Sequence, residues 1–430
     1  MLIQRKYILL FVLFVWGNTF IGAGQSVKKI SLNRFFHEQE KSSQAIVPIS
    51  LDEHITSLAL RINPHDTFRG SKIITSTDTF DLTLNEHADS SWKYLTSNLV
   101  VFDEPLTDFK LLRGEGIHHP EDVTVFLIYA PPVEHKKPSP KKKAFSEGCS
   151  APEMIDQETW RVGLPEPDYP RILNEVHNII VHHSAGSNTN TNYTDVVRNI
   201  YLYHTGVNGW SDIGYNYVVA QDGSIFKGRD PGPLAQDSVM GAHFCGSNSG
   251  TLGICVLGNY VETEVPNDAL LSLTGLITWK TFRDTMNPAG MYPHPLNSTL
   301  NVIAGHRDGC NTLCPGDILY QDLEEIRLDV LTAMEACGYV PSFIDPVRTR
   351  PEIIVYPNPA QAQLWVISKG DELMRLSALT HVSGRNVPVK IVSSGPGRLV
   401  LDFPDLPAGQ YFLTLEIDSK KLTHSIIIQE

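Results

Sequence analysis

The stretch that decides the central fold and its chemistry is GHRDGCNTLCPG, residues 305–316. The apolar run before it, residues 302–304, predicts a short strand that ends at His306. Cys314 follows eight positions after His306, within a loop rich in glycine. Histidine nitrogen and cysteine thiolate are both ligands that suit zinc. Because two ligands do not make a site, a third must come from another part of the chain.

The third ligand is expected at His182, in the segment NIIVHHSA, residues 178–185. A near-continuous apolar run, residues 176–181, predicts a strand buried on both faces that ends at this histidine. A lone histidine after a strand is more often a hydrogen-bonded core residue, so the assignment depends on the other two ligands. The alternative is a closed structural site with His183 as a fourth ligand. Neighbouring strand residues point to opposite faces, which argues against His182 and His183 sharing one ion.

Further segments between residues 150 and 339 alternate strand and helix patterns. Residues 194–204, 270–282 and 319–334 place apolar side chains at helical spacing. Residues 215–227 contain two apolar runs around Asp-Gly, which predicts a hairpin. Residues 252–257 predict another buried strand. The region is therefore expected to be an α/β domain, with a mixed sheet flanked by helices.

Five segments of this region carry a family resemblance: IIVHHSA, WSDIGYNYVVAQDGSIFKGR, GAH, GTLGICVLGNY and AGHRDGCNTLCPGD, in that order. They resemble the zinc-dependent N-acetylmuramoyl-L-alanine amidases, a group that includes peptidoglycan recognition proteins and phage lysozyme-amidases. The resemblance covers roughly residues 150–339, under half of the chain, and the domain is placed at residues 149–339. It implies a Zn²⁺ cofactor held by His182, His306 and Cys314.

The resemblance also implies catalytic residues for amide hydrolysis. Zinc with an open position lowers the pKa of a bound water toward about 7 and polarises a carbonyl. Tyr215, in DIGYN, matches the family's tyrosine beside that water, which a phenol can orient. Thr312, two residues before Cys314, matches a position whose hydroxyl can donate to the developing oxyanion. Without the motifs, Tyr215 would be interpreted as a packing residue and Thr312 as a turn residue.

Three further residues are predicted to bind substrate: His243 in GAH, Asn216 after the tyrosine, and Arg229 in the segment GRDP. His243 is expected to line the cleft, where it either touches substrate or supports the loop. The segment of Arg229 departs from the family's GRGW-like pattern, which helps to select the third residue of the peptide stem. The choice between diaminopimelate and lysine stems therefore stays open.

The leading functional hypothesis is a secreted amidase that cleaves the bond between N-acetylmuramic acid and L-alanine in peptidoglycan. The competing hypothesis is a recognition module that binds peptidoglycan or muropeptides without cutting them; such relatives commonly lack the cysteine ligand, which Cys314 supplies here. A third interpretation, a structural zinc domain in an adhesin, keeps the metal without an open cleft.

The length of 430 residues predicts two or three domains, and the net charge of −13 argues against nucleic acid as a partner. Residues 1–24 are predicted to be a signal peptide, with Arg5 and Lys6 before an apolar run that is short for a membrane span. No stable membrane span is expected after its cleavage.

Residues 25–130 alternate short β-rich runs with turns and predict an all-β domain of sandwich type. Whether it is a wall-binding module or a structural or pro-domain stays open.

The segment at residues 131–148 is rich in proline and lysine and predicts a solvated linker. A basic patch that binds anionic wall polymers is the alternative. Residues 340–352 are expected to be a second linker, and residues 353–430 a C-terminal β-sandwich. Its segments VYPNPA, SGRNV and LPAGQYFLTL resemble the sorting domain recognised by type IX secretion machinery. That resemblance implies a protein that is secreted or held at the cell surface, after passage through the periplasm and the outer membrane.

The chain has six cysteines, and a metal-ligating cysteine leaves five, which allows at most two disulfides. Cys149 and Cys337 bracket the amidase-like region and could join its ends. Cys245 and Cys310 lie in loops that should be neighbours in the resembled fold. Cys255, within an apolar strand, is the candidate for a buried free thiol. The sequence alone leaves these pairings open.

Overall fold

The computed structural model describes residues 26–32, 45–87, 93–133, 149–340, 353–356, 360–368, 374–382, 385–395, 397–403, 406–417 and 420–429. The chain divides into two compact units at residue 340. The predicted signal peptide lies outside the described residues. So does most of each predicted linker.

The N-terminal strands of the first unit form one antiparallel sheet of seven strands in the order β1-β7-β2-β6-β3-β4, with β5 against β2. The strands are β1 Val27–Ser31, β2 Ala45–Ile62, β3 Lys72–Ile74, β4 Thr79–Asp81, β5 Leu95–Thr96, β6 Val100–Arg113 and β7 Thr124–Ile128. The predicted β-rich runs are therefore strands. A separate domain and a two-sheet sandwich are not confirmed, because this single sheet belongs to the same compact unit as the central region.

The central region contains a five-stranded sheet in the order β10-β9-β11-β8-β12. Its strands are β8 Asn178–His183, β9 Tyr217–Val219, β10 Ile225–Lys227, β11 Thr251–Val256 and β12 Ile303–Gly305, and its helices are α1 Gln157–Trp160, α2 Tyr193–Leu202, α3 Asn267–Arg283 and α4 Asp317–Ala336. Strand β10 is antiparallel and the other four run parallel. The predicted mixed sheet with helices is confirmed.

The parallel direction of neighbouring strands determines where His182 and His306 lie. Strands β8 and β12 are neighbours, and each ends at a histidine or one residue before it. Because the carboxyl ends of neighbouring parallel strands lie at one edge of a sheet, His182 and His306 meet there. Buried side chains of α3 and α4 pack on one face of this sheet, among them Leu273, Leu276 and Leu323.

The N-terminal sheet packs on the other side, against α2. Ala59, Phe126 and Ile128 of the N-terminal strands share a buried cluster with Val197 and Ile200 of α2. The side-chain oxygen of Asn199 on α2 accepts hydrogen bonds from the hydroxyls of Thr56 and Ser57, each 2.7 Å long. The N-terminal strands are therefore held by core-like packing on the central region, with the buried hydroxyls of Thr56 and Ser57 paired.

The disulfide pairings suggested by the sequence are confirmed. Cys149 bonds to Cys337 at the two ends of the central region, and Cys245 bonds to Cys310. Cys255 is free and fully buried.

The second unit contains strands throughout its described residues. They are β13 Ile353–Tyr356, β14 Gln363–Ser368, β15 Met374–His381, β16 Asn386–Val387, β17 Lys390–Gly395, β18 Arg398–Asp402, β19 Gly409–Ile417 and β20 Lys420–Ile428. They form two four-stranded sheets, β13-β14-β18-β17 and β16-β15-β19-β20. Buried residues of both sheets, such as Leu364 and Leu413, lie in one apolar cluster. The described part of the chain contains no helix with the length and apolar character to cross a bilayer.

A buried ion pair in the central region gives a prediction on stability. The Asp237 carboxylate, 2% exposed, accepts a 2.8 Å hydrogen bond from the Lys280 ammonium and another from Arg283. Burial alone would raise the pKa of Asp237, but the bonds from Arg283 and Lys280 hold it below its usual value. Asp237→Ala leaves the buried Lys280 ammonium with Asp284 as its remaining carboxylate partner, so it should lose about 3 kcal/mol of unfolding free energy, the lower end for breaking a buried pair.

Urea unfolding at several pH values measures this loss. A depressed carboxyl pKa stabilises the fold above the unfolded value of 3.8, and this contribution disappears as the pH falls through the folded pKa. The difference between wild type and Asp237→Ala should therefore shrink below pH 3.8. Asp329→Ala, at an exposed position of α4, is the control and should change stability little. Equal losses in both variants would contradict the interpretation.

Candidate metal centre

The structure places two predicted metal ligands, Cys314 and His306, each beside the third, His182. The Cys314 sulfur lies 3.6 Å from His182 Nδ1, and the rings of His182 and His306 are 4.5 Å apart between centres. Tetrahedral zinc, with nitrogen at about 2.0–2.1 Å and sulfur at about 2.3 Å, places two such donors about 3.5 Å apart. The sulfur and the His182 nitrogen therefore already have the spacing of two zinc ligands.

The hydrogen bonds of the two histidines leave one nitrogen of each available for a metal. His182 Nε2 is hydrogen-bonded to His243 Nδ1 at 3.0 Å, so His182 Nδ1 faces the cysteine. His306 Nδ1 is buried and has no hydrogen-bond partner among the described residues. Leaving a buried nitrogen unpaired costs about 1–3 kcal/mol, which a bound metal would offset. These donor atoms fit a zinc ion.

The thiol of Cys314 is placed for ligation and is fully buried. It accepts a 3.4 Å hydrogen bond from the backbone N–H of His183, which stabilises negative charge on sulfur. Burial raises the pKa of the Cys314 thiol well above its usual value. A metal that binds there must therefore displace a proton, as is usual for thiolate ligands.

The loop between His306 and Cys314 is braced by its own residues. The Arg307 guanidinium donates to the carbonyl of Leu313 and pairs with Asp317 at 2.6 Å. The Asp308 carboxylate accepts the N–H of Gly305 at 2.8 Å, and the Cys245–Cys310 disulfide ties the loop to its neighbour. The two ligands of this loop are therefore held in place by the protein.

His243 lies behind a metal ligand. It is 2% exposed, and its Nδ1 and Nε2 lie 3.0 Å from His182 and 3.4 Å from the Thr251 hydroxyl. A second residue that fixes the ring of a ligating histidine is common at metal sites. The observed contacts support His182, and contact of His243 with substrate stays a prediction.

Tyr215 lies beside the three ligands, as predicted. Its ring centre is 5.2 Å from that of His182, and its hydroxyl is 2.7 Å from His87 Nε2. Burial raises the pKa of Tyr215 well above its usual value, so the phenol keeps its proton and donates this hydrogen bond.

Asn216 and Arg229, both predicted to bind substrate, are buried and engaged with the fold. The Asn216 amide donates to the Val239 carbonyl at 2.8 Å and accepts the Gly253 N–H at 3.0 Å. Arg229 is 7% exposed and lies 4.8 Å from the centre of the Tyr169 ring. Their contacts position neighbouring strands and loops, and their contact with substrate stays a prediction.

Thr312 lies at the edge of open space. Its hydroxyl oxygen accepts the backbone N–H of Cys314 at 3.1 Å, and its side chain is half-buried. It lines a surface cavity of about 590 Å³ together with Glu86 and Asn259. Because the oxygen acts as the acceptor, the hydroxyl proton is left to donate elsewhere. Its catalytic role stays a prediction.

Two residues of the N-terminal region reach the metal centre, and the sequence analysis missed both. His87 stacks on His306 with ring centres 4.9 Å apart, and donor atoms of His87, His182 and His306 lie within 4.8 Å of one another. Glu86 accepts a 2.8 Å hydrogen bond from His183 Nε2. No motif marks them, because a polar turn with one histidine is common in any loop.

His183 contacts different groups from His182, and donor atoms of His183, Glu86 and Cys314 lie within 4.8 Å of one another. Its Nδ1 accepts the backbone N–H of Tyr260 at 3.2 Å, and its Nε2 contacts Glu86. Both ring nitrogens are therefore occupied by protein groups. The two histidines have different hydrogen-bond partners, and the expectation that they do not bind one ion stays a prediction.

Two parts of the chain match known protein families. Residues 173–317 match the N-acetylmuramoyl-L-alanine amidase family, and residues 354–429 match the secretion system C-terminal sorting domain. Drosophila melanogaster peptidoglycan-recognition protein SC2 is 29% identical over 172 residues, 40% of this chain and 84% of that protein. Bos taurus peptidoglycan recognition protein 1 is 31% identical over 158 residues, 36% of this chain and 74% of that protein.

A human N-acetylmuramoyl-L-alanine amidase is 34% identical over 124 residues, which are 29% of this chain and 19% of that protein. The family match over residues 173–317 spans His182, Tyr215, His306 and Cys314. The chain therefore belongs to the family of N-acetylmuramoyl-L-alanine amidases and peptidoglycan recognition proteins, and it carries a C-terminal secretion sorting domain.

Proposed function

We propose that the protein is a secreted, zinc-dependent N-acetylmuramoyl-L-alanine amidase that cleaves peptidoglycan between N-acetylmuramic acid and L-alanine. The observation that carries this proposal is the donor set. Cys314 and His182 have the spacing of zinc ligands, and the buried His306 Nδ1 has no other partner among the described residues. A site of three protein ligands is typical of catalytic zinc.

The residues around this donor set support amide hydrolysis. Zinc bound there would supply an activated water and polarise the substrate carbonyl. The protonated Tyr215 hydroxyl is placed to hydrogen-bond a group beside His182. The free hydroxyl proton of Thr312 can donate to the oxyanion that develops at the carbonyl, an interaction worth roughly 3–4 kcal/mol where such donors have been removed.

The test is incubation of purified, zinc-loaded protein with muropeptides, with and without a chelator. It is run on the wild type and on His87→Ala, because the His87 ring covers the site. Stem peptide released in a chelator-sensitive way supports the amidase. Muropeptide binding without release in either protein would indicate a recognition module, and zinc retention with neither would indicate a structural site.

We further propose that residues 353–430 are a β-sandwich that directs export through type IX secretion machinery. Its described residues form a separate compact unit with its own apolar core. The YPNPA segment at residues 356–360 falls largely outside the described residues. The match to a sorting domain supports a location at the cell surface or in the medium.

Deletion of residues 353–430 should leave stem-peptide release unchanged in vitro and retain the protein in the periplasm, because the deleted unit contributes no residue of the metal centre. Cell fractionation in the native host measures this, with the full-length chain as control and a periplasmic marker to exclude lysis. A truncated protein that still reaches the medium would contradict the sorting role and favour a third binding module.

A further inference from the structure

Residues 85–87, here called the covering segment, lie directly over the metal centre. The three expected ligands are 0% exposed and Tyr215 is 3% exposed. The cavity left between the covering segment and residues 183–187 has a volume of about 60 Å³. None of the three expected ligands lines this cavity, and because all three are fully buried, a muropeptide has no access to them in this arrangement.

We propose that His87 is a fourth metal ligand, supplied by the N-terminal region, and that the covering segment holds the amidase in a latent form. The proposal rests on the proposed function, since it takes His182, His306 and Cys314 as the zinc ligands. Catalytic zinc keeps one position free of protein, and a fourth protein ligand closes that position.

The contacts of His87 place it where the reacting groups would be. Its Nε2 lies 2.7 Å from the Tyr215 hydroxyl, the group expected to orient the attacking water. Its ring stacks on that of His306, and a donor atom of each of these two histidines lies within 4.8 Å of one on His182.

The covering segment is held from both of its sides. The Asn85 side-chain oxygen accepts the backbone N–H of His87 at 2.9 Å, and the Asn85 N–H donates to the Thr96 carbonyl at 2.9 Å. On the other side, Glu86 pairs with His183 at 2.8 Å. His87 therefore lies in a turn that is fixed by hydrogen bonds on both sides.

The N-terminal sheet stabilises this position through its contact with the central region. Besides the apolar packing on α2, Arg61 donates to the Val207 carbonyl at 2.8 Å, and the Tyr203 hydroxyl donates to the Ser97 carbonyl. Ser97 is fully buried and forms a β-bridge with Leu84, the residue before the covering segment. Access to the metal therefore requires movement of the covering segment or of the whole N-terminal sheet.

This assignment distinguishes between the two roles that the sequence allowed for the N-terminal region. A module that binds the cell wall would be expected to leave the catalytic cleft open. A region that places a histidine on the catalytic tyrosine and an acid on His183 behaves as an inhibitory pro-domain. In this state the cleft is occupied by the chain's own N-terminal region.

Cobalt substitution tests the fourth ligand without relying on activity. The full-length protein is loaded with Co²⁺ in place of zinc, and its visible absorption is recorded while azide is added. With His87 bound, no position is open and the wild-type spectrum should not change. In His87→Ala the open position should take azide, and the ligand-field bands should shift. His54→Ala, an exposed histidine on β2, is the matched control and should behave as the wild type.

Two further measurements make the test decisive. Zinc transfer to a chromogenic chelator should be at least tenfold faster for His87→Ala than for wild type or His54→Ala, since one ligand is lost. Isothermal titration of the metal-free proteins with muropeptide should show at least tenfold tighter binding for His87→Ala, because the cleft is less covered. Glu86→Gln, which keeps the histidine, should give a smaller change in both.

The outcomes separate this proposal from the proposed function. A wild-type cobalt spectrum that responds to azide as the variant does would overturn the fourth ligand. Equal muropeptide binding by wild type and His87→Ala would overturn the covering role. Stem-peptide release by neither protein, with the cobalt result as expected, would overturn the amidase activity while leaving the four-ligand site intact. Thermal unfolding of each variant confirms that it is folded.

Discussion

Cys314→Ser and His306→Ala should each abolish stoichiometric zinc binding and reduce stem-peptide release by more than a hundredfold. Both residues are 0% exposed at the centre of the donor set, and Cys314 is within 3.6 Å of His182 Nδ1. Replacing residues that only support metal ligands typically costs about 10–100-fold in affinity or activity, so loss of a ligand itself should cost more. A serine hydroxyl keeps the shape of the site but does not ionise near neutral pH.

Metal content by mass spectrometry and muropeptide hydrolysis measure these losses. Cys255→Ala is the matched control, because Cys255 is also a free and fully buried cysteine, on the strand next to β8. It should keep one zinc per chain. The N-terminal and C-terminal strands should still fold in both ligand variants, which circular dichroism checks. Full zinc occupancy in Cys314→Ser and His306→Ala would overturn the ligand assignment.

Tyr215→Phe should keep zinc and muropeptide binding while losing about 10²–10⁴-fold in kcat, the range that a positioned acid or base usually contributes. Only the hydroxyl is removed, so packing of the buried ring against its neighbours is preserved. The same hydroxyl bonds to His87, and its loss also weakens the covering segment. The comparison is therefore made between His87→Ala and the double variant with Tyr215→Phe, where this second effect is absent.

Tyr217→Phe, in the same His87→Ala background, is the control for this measurement. Tyr217 is buried two residues away, on β9, and its hydroxyl has no hydrogen-bond partner among the described residues. Its replacement should leave kcat unchanged. If Tyr215→Phe also leaves kcat unchanged with zinc present, Tyr215 is a packing residue.

The sequence by itself predicted three residues of the candidate metal centre, His182, His306 and Cys314. The apolar run before His306 and the one before His182 predicted strands, and the structure has β12 and β8 there. Two neighbouring parallel strands that end in histidines bring those histidines to one sheet edge. The third donor, Cys314, lies in the loop that begins at His306, so its position depends on contacts within a few residues. The positions of these three residues depend on nearby sequence, namely the hydrophobic pattern of each strand and the spacing between His306 and Cys314.

Other positions depended on the tertiary structure. His243 was expected to line the cleft, and its contacts with His182 and Thr251 depend on how distant parts of the chain fold together. The N-terminal strands were expected to form a separate domain, and the structure adds a buried cluster that they share with α2. The sequence of a strand shows which of its side chains are apolar. It does not show which surface of the protein those side chains will pack against.

The covering segment shows the same limit most clearly. His87 and Tyr215 are 128 positions apart in the chain, and Glu86 and His183 are 97 apart. No periodicity or motif relates residues across such distances. The sequence therefore determined which atoms can hold the metal. Only the packing of the N-terminal sheet on the central region decided that a further histidine covers them, since that contact forms between surfaces that exist only after both regions have folded.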